Sequence, residues 1–161
     1  MGYEPTGSEG KGNVSDQATE SIVVAAPPER VFAIVTDFPN YPSWAADLKE
    51  VTVVDTDGEG RATKVRFRAA AFGRSTTYTL AYDYAGAPNQ LTWVQDSGDI
   101  TARVDGQYDF AAAPEGTKVT YHLEVDLKFP LPGFIKQRAA ARIVATALRQ
   151  LRDHAESVGA M

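Results

Sequence analysis

The sequence holds 161 residues, 43% of them hydrophobic, which suffices for one domain with a substantial core. A formal charge of −5 argues against general nucleic-acid binding, and the absence of cysteine excludes disulfides and thiolate chemistry. The two histidines, His122 and His154, lie far apart with no ligand pattern beside them, so no metal site and no cofactor is expected.

Residues 1–16 are rich in Gly, Ser and charge and are expected to form a flexible tail, ahead of a ligand-binding domain over 17–158. The tail lacks the apolar run of a secretory signal, and nothing in the chain approaches the roughly 18 apolar residues that span a bilayer. A cytoplasmic location is therefore the default expectation. Three short matches in the tail are poor. Residues 1–6 fit the loose N-myristoylation pattern, but with Tyr3 and Pro5 inside it. Asn13-Val14-Ser15 is a glycosylation sequon without an export signal, and residues 7–12 lack P-loop spacing.

From Thr19 the pattern changes. Residues 21–25 form a short β-prone run, ended by Ala26-Pro27-Pro28. Pro28 suits the first turn of a helix and Glu29 its positive end, and Val31, Phe32, Ile34 and Val35 supply an apolar face. Pro39 and Pro42 must break that helix, leaving at most an irregular turn before Trp44.

A series of alternating segments follows, as expected for half-buried antiparallel strands. They run over residues 51–56, 62–71, 75–84, 91–95, 100–110 and 119–129, separated by turn residues such as Asp57-Gly58-Glu59-Gly60 and Pro114-Glu115-Gly116. The segment 100–110 reads as one alternation, with Ile100, Ala102, Val104, Tyr108 and Phe110 against Thr101, Arg103, Asp105, Gln107 and Asp109. Pro130-Leu131-Pro132-Gly133 then halts the sheet, and 134–157 reads as one long helix of roughly 36 Å. A curved sheet needs its concave side filled, and this helix is the large element available.

At 100° per residue, Gln137, Ala140, Ala141, Val144, Ala147, Leu148, Leu151 and Ala155 share one stripe of the helix. Its first half is small, so either the backbones approach closely there or a guest enters. The strand faces that should meet it carry Phe67, Tyr78, Leu80, Tyr82, Trp93, Tyr108 and Tyr121. Two readings stay open: rings interdigitating with alanines, or an aromatic pocket whose hydroxyls and Gln137 orient a guest. Arg138, Arg142, Arg149 and Arg152 flank the stripe and suit a solvated face, with contact to an anionic surface as the alternative.

The run from Val31 to Trp44, Val-Phe-Ala-Ile-Val-Thr-Asp-Phe-Pro-Asn-Tyr-Pro-Ser-Trp, resembles the START-like helix-grip (SRPBCC) superfamily. With the apolar strand and Ala26–Arg30 before it and the terminal helix, the likeness covers about residues 18–157. It is most similar to the polyketide cyclase/dehydrase branch, which includes coenzyme Q-binding and ribosome-association toxin relatives. The resemblance implies an α+β fold. A strongly curved antiparallel sheet of six to seven strands would wrap a long C-terminal helix, with two short helices after strand 1. It also implies an apolar cavity with Trp44 at its mouth. The expected ligand-binding set is then Trp44, the seven strand residues named above, and Phe134, Gln137 and Ala141 from the helix.

No lone inward carboxylate or histidine stands out as an acid or base, so no catalytic residue is assigned. The leading expectation is binding, transport or presentation of an apolar small molecule such as a lipid, isoprenoid, quinone or polyketide. A polyketide cyclase/dehydrase-type enzyme is the first alternative. The other is a protein-interaction module using the sheet edge or the Arg flank, as the likeness to ribosome-association toxin relatives implies, and a transient membrane or protein contact is the further partner expectation.

Overall fold

Period-2 alternation, repeated between turn signals, produces a chain of antiparallel hairpins. The computed structural model describes residues 16–71, 73–130 and 138–159. In chain order these form β1 (Asp16–Val24), α1 (Pro28–Thr36), a 3-10 helix (Phe38–Ser43), β2 (Leu48–Thr56), β3 (Ala62–Ala71), β4 (Arg74–Asp83), β5 (Gln90–Gly98), β6 (Thr101–Ala113), β7 (Gly116–Leu127) and α2 (Ala139–Gly159). The strands make one curved, open, seven-stranded antiparallel sheet in the order β1-β7-β6-β5-β4-β3-β2, which is the helix-grip fold. Because β1 and β2 occupy opposite edges, their connection must travel across the end of the sheet. The two short helices make that crossing.

Local chemistry explains how. Pro28 opens α1, whose Val31 and Val35 are fully buried, while Phe32 meets Phe110 of β6 edge-on at 5.7 Å. The 3-10 helix then accommodates Pro39 and Pro42 and buries Phe38 and Tyr41. The Tyr41 hydroxyl donates to the Val35 carbonyl, fastening the 3-10 helix to the end of α1. At the β2–β3 turn, Asp57 Oδ1 accepts from the amides of Glu59 and Arg61, both at 2.9 Å, and Gly60 takes φ +82°.

Three elements differ from the sequence expectation. The helix expected over 134–157 runs over Ala139–Gly159; Arg138 takes φ +53°, which is not helical, and 134–137 lie outside the described residues. β1 begins at Asp16 rather than near residue 21, and its first half is polar. Pairing makes it a strand: Asp16–Val24 lies in register with Val125–Thr117 of β7. Thr19 Oγ1 lies 2.5 Å from His122 Nδ1, and the Ser21 and Thr120 hydroxyls lie 2.8 Å apart. In β6 the expected single alternation is interrupted by a register shift between Thr101 and Arg103. A bulge moves one residue out of phase and flips the faces before it. Thr101 is therefore fully buried and Ala102 exposed, the reverse of the expected sides.

The long helix α2 packs on β1 and β7. Ala140, Val144, Leu148, Leu151 and Ala155, about one turn apart along a single stripe, are all buried. Asp16 Oδ2 accepts from the Ala140 amide at 2.9 Å, satisfying one of the unpaired N–H groups of the first turn and tying β1 to the start of α2. Among the described residues, no helix is long and apolar enough to cross a membrane.

Candidate functional site

The concave face of the sheet is tiled by cross-strand ring pairs. Phe67 on β3 and Tyr78 on β4 are register partners, as are Tyr82 on β4 and Trp93 on β5, and Tyr108 on β6 and Tyr121 on β7. Their centroids lie 5.5, 5.6 and 4.5 Å apart, and Trp93 reaches Tyr108 at 5.5 Å and Tyr121 at 5.8 Å. Gly106 makes the centre of this floor possible. It faces Trp93 in the β5–β6 register, and a Cβ there would lie 2.7 Å from the indole Cε2 and 2.8 Å from the His122 carbonyl.

Between these rings and α2 lies a cavity of about 700 Å³. Trp44, Phe67, Tyr78, Leu80, Tyr82, Trp93, Tyr108 and Tyr121 all line it. Phe134 and Gln137 lie outside the described residues. Ala141 is half-buried and is not among the lining residues. The helical wall comes instead from Ala139, Arg142, Ile143, Thr146, Ala147 and Gln150. This flank lies beside the Ala140–Ala155 packing stripe. The apolar stripe read from sequence is thus the side that touches β1 and β7, and of its described members Ala147 alone also lines the cavity.

Sequence reasoning missed further wall residues. Thr101 enters through the β6 bulge, and its hydroxyl is already engaged, donating to Gln95 Oε1 at 2.6 Å. Tyr41, Ala45 and Leu48 follow from the course of the 3-10 helix and the residues after it. Ala69, Ala70 and Ala71 end β3 beside the cavity, and a run of three alanines in a strand was the available signal for a wall left thin. The exposed lining residues are Asp47, Ala70, Gly73, Arg74 and Arg142, so the cavity opens between the β3–β4 turn, the segment before β2 and the first turns of α2. Trp44 is half-buried and stacks on His154, at 5.8 Å and 12° between planes. His154 is about three helical turns beyond Arg142, so the indole closes the wall toward the C-terminal half of α2.

The polar chemistry of the interior is narrow. Among the described residues, the hydroxyls of Tyr78, Tyr82, Tyr108 and Tyr121 make no hydrogen bond. They are also absent from the fully covered polar atoms that lack partners, which are Trp44 Nε1, Trp93 Nε1 and Asp126 Oδ1. The four hydroxyls therefore open onto the cavity, whereas the two indole N–H groups are sealed in its walls. Burial pushes the pKa of all four phenols upward, and for Tyr82, Tyr108 and Tyr121 neighbouring phenols add to the rise. They stay protonated at any physiological pH. Among the described lining residues Asp47 is the one carboxylate, and it sits at the opening with Arg74 and Arg142. Such a cavity can enclose and orient an apolar guest, but among the described residues its depth holds no group that exchanges a proton near neutrality. Among the described residues, no group of three or more metal-ligating side chains occurs.

A family model described as polyketide cyclase / dehydrase and lipid transport matches residues 15–156. No curated protein matches the sequence. Solved structures share the fold at low identity. A START superfamily protein from Mycobacterium smegmatis is 24% identical with a TM-score of 0.81, covering 91% of this chain and 99% of that one. A protein from Thermus thermophilus is 20% identical with a TM-score of 0.72, covering 90% and 99%. The Zhui aromatase/cyclase from a Streptomyces species is 17% identical with a TM-score of 0.69, covering 89% and 94%.

Proposed function

The chain belongs to the polyketide cyclase / dehydrase and lipid transport family, and from that premise we propose that it binds an apolar small molecule inside its cavity, for transport or presentation. The observation that carries this reading is the cavity itself: about 700 Å³, walled by aromatic rings and free hydroxyls. Small-molecule sites are commonly of this size and are apolar with a few polar groups for orientation. Sealing a core would call for interdigitated side chains at crystal-like density, which leaves no such volume.

Binding without catalysis fits the polar inventory better than a cyclase or dehydrase. Those reactions need a positioned acid or base, and the interior tyrosines, held neutral by burial, cannot act as the base and are weakened as acids. Native mass spectrometry of gently purified protein tests the reading. A retained apolar molecule, released by denaturation and absent from an Ala147→Phe variant, is the expected result. Protein that emerges unliganded, and that takes up no member of a panel of fatty acids, quinones and polycyclic ketones at micromolar concentration, would overturn it.

A further inference from the structure

The four free tyrosine hydroxyls restrict what the cavity can hold, given the binding reading above. The other described tyrosines have their hydroxyls engaged: Tyr41 donates to the Val35 carbonyl, and Tyr84 to the Ala62 carbonyl at 2.7 Å. Where a ring only seals the core the chain uses phenylalanine, as at Phe38 and Phe110, which are 0% and 4% exposed. Tyr78, Tyr82, Tyr108 and Tyr121 follow neither pattern. Each could be phenylalanine without loss of ring packing, yet each presents an unpaired hydroxyl to the same enclosed space.

Water can serve those hydroxyls while the cavity is empty, but a guest that expels the water must replace its bonds. A saturated chain has nothing to offer them. An ionised group would enter a space whose lining arginines, Arg74 and Arg142, are both exposed at the opening, so its charge would go unmatched in the depth.

We infer that the cavity selects guests bearing several neutral acceptor oxygens, carbonyls above all, over hydrocarbons and saturated chains of equal size. The phenols donate and the ligand accepts. One neutral hydrogen bond gained is worth roughly a factor of 2–12 in affinity, so two give a preference of at least about 4-fold.

A matched pair of probes isolates this term. Anthraquinone-2-sulfonate and anthracene-2-sulfonate share ring shape and solubilising group and differ in two carbonyl oxygens. Calorimetric titration of the full chain should show the quinone binding at least about 4-fold more tightly. In Tyr108→Phe/Tyr121→Phe, and separately in Tyr82→Phe, the preference should fall toward parity while affinity for the hydrocarbon holds. The single variant keeps the test alive should the double variant not fold. Equal binding of the two probes, or a preference untouched in every phenylalanine variant that folds, would overturn the inference and leave cavity binding standing. Binding of neither probe would overturn both.

Discussion

Placing a phenyl ring at two positions of α2 two turns apart separates empty volume from packed core. Ala147 is half-buried and lines the cavity, whereas Ala140 is 0% exposed, packs in the helix stripe that faces β1 and β7, and has its amide bonded to Asp16. Ala147→Phe directs its ring toward about 700 Å³ of space and should keep stability within about 1 kcal/mol. Ala140→Phe has no such space. Overpacking there should cost about 1–3 kcal/mol, or more if the start of α2 is levered off Asp16. For a chain of this length each kcal/mol corresponds to roughly 2–4 °C in Tm, so the second variant should melt about 2–12 °C lower. Denaturant and thermal unfolding measure both, and titration with anthraquinone-2-sulfonate should show binding lost in Ala147→Phe. The reasoning fails if Ala147→Phe is destabilised as strongly as Ala140→Phe, or if it is stable and binds as the parent does.

Gly106→Ala should destabilise the fold by about 1–3 kcal/mol and shift Trp93 emission, because the new Cβ meets the indole Cε2 at 2.7 Å and the His122 carbonyl at 2.8 Å; unchanged melting and fluorescence would contradict the packing described. Asp16→Ala should cost about 0.5–1.5 kcal/mol in denaturant unfolding, while Asp16→Asn, which keeps an acceptor for the Ala140 amide, should lose less. Burial raises the pKa of Tyr78, Tyr82, Tyr108 and Tyr121, so their contribution to stability is intact below the unfolded tyrosine value near about 10 and is lost as pH rises through the folded values. Phenolate absorbance should accordingly appear for these residues together with alkaline unfolding, and their titration in the still-folded protein would contradict the burial.

Why the ring floor was legible in the sequence, and the helical wall less so, follows from what each pattern encodes. Phe67, Tyr78, Tyr82, Trp93, Tyr108 and Tyr121 fall on one face because strand side chains alternate with period 2, and antiparallel pairing keeps that face common to all strands. On α2, periodicity reports the side that is buried, and Ala140, Val144, Leu148, Leu151 and Ala155 are buried against β1 and β7. The side that borders a cavity carries Ala139, Ile143, Thr146 and Gln150, a mixture that composition does not separate from a half-solvated flank. Thr101 was hidden by the β6 bulge, which reverses an alternation that otherwise reads cleanly. Asp16 looked like tail because its role comes from a bond to Ala140, 124 residues away. The opening was likewise out of reach, since it depends on where the β3–β4 turn meets α2.

Intermolecular nuclear Overhauser effects between bound anthraquinone-2-sulfonate and the isotope-labelled aromatic rings test cavity binding most directly. The account predicts contacts from the ligand's ring protons to Trp93, Tyr108 and Tyr121, which share the cavity floor. Contacts confined to the exposed valines Val54 and Val94, or none to the floor rings at saturating ligand, would contradict it.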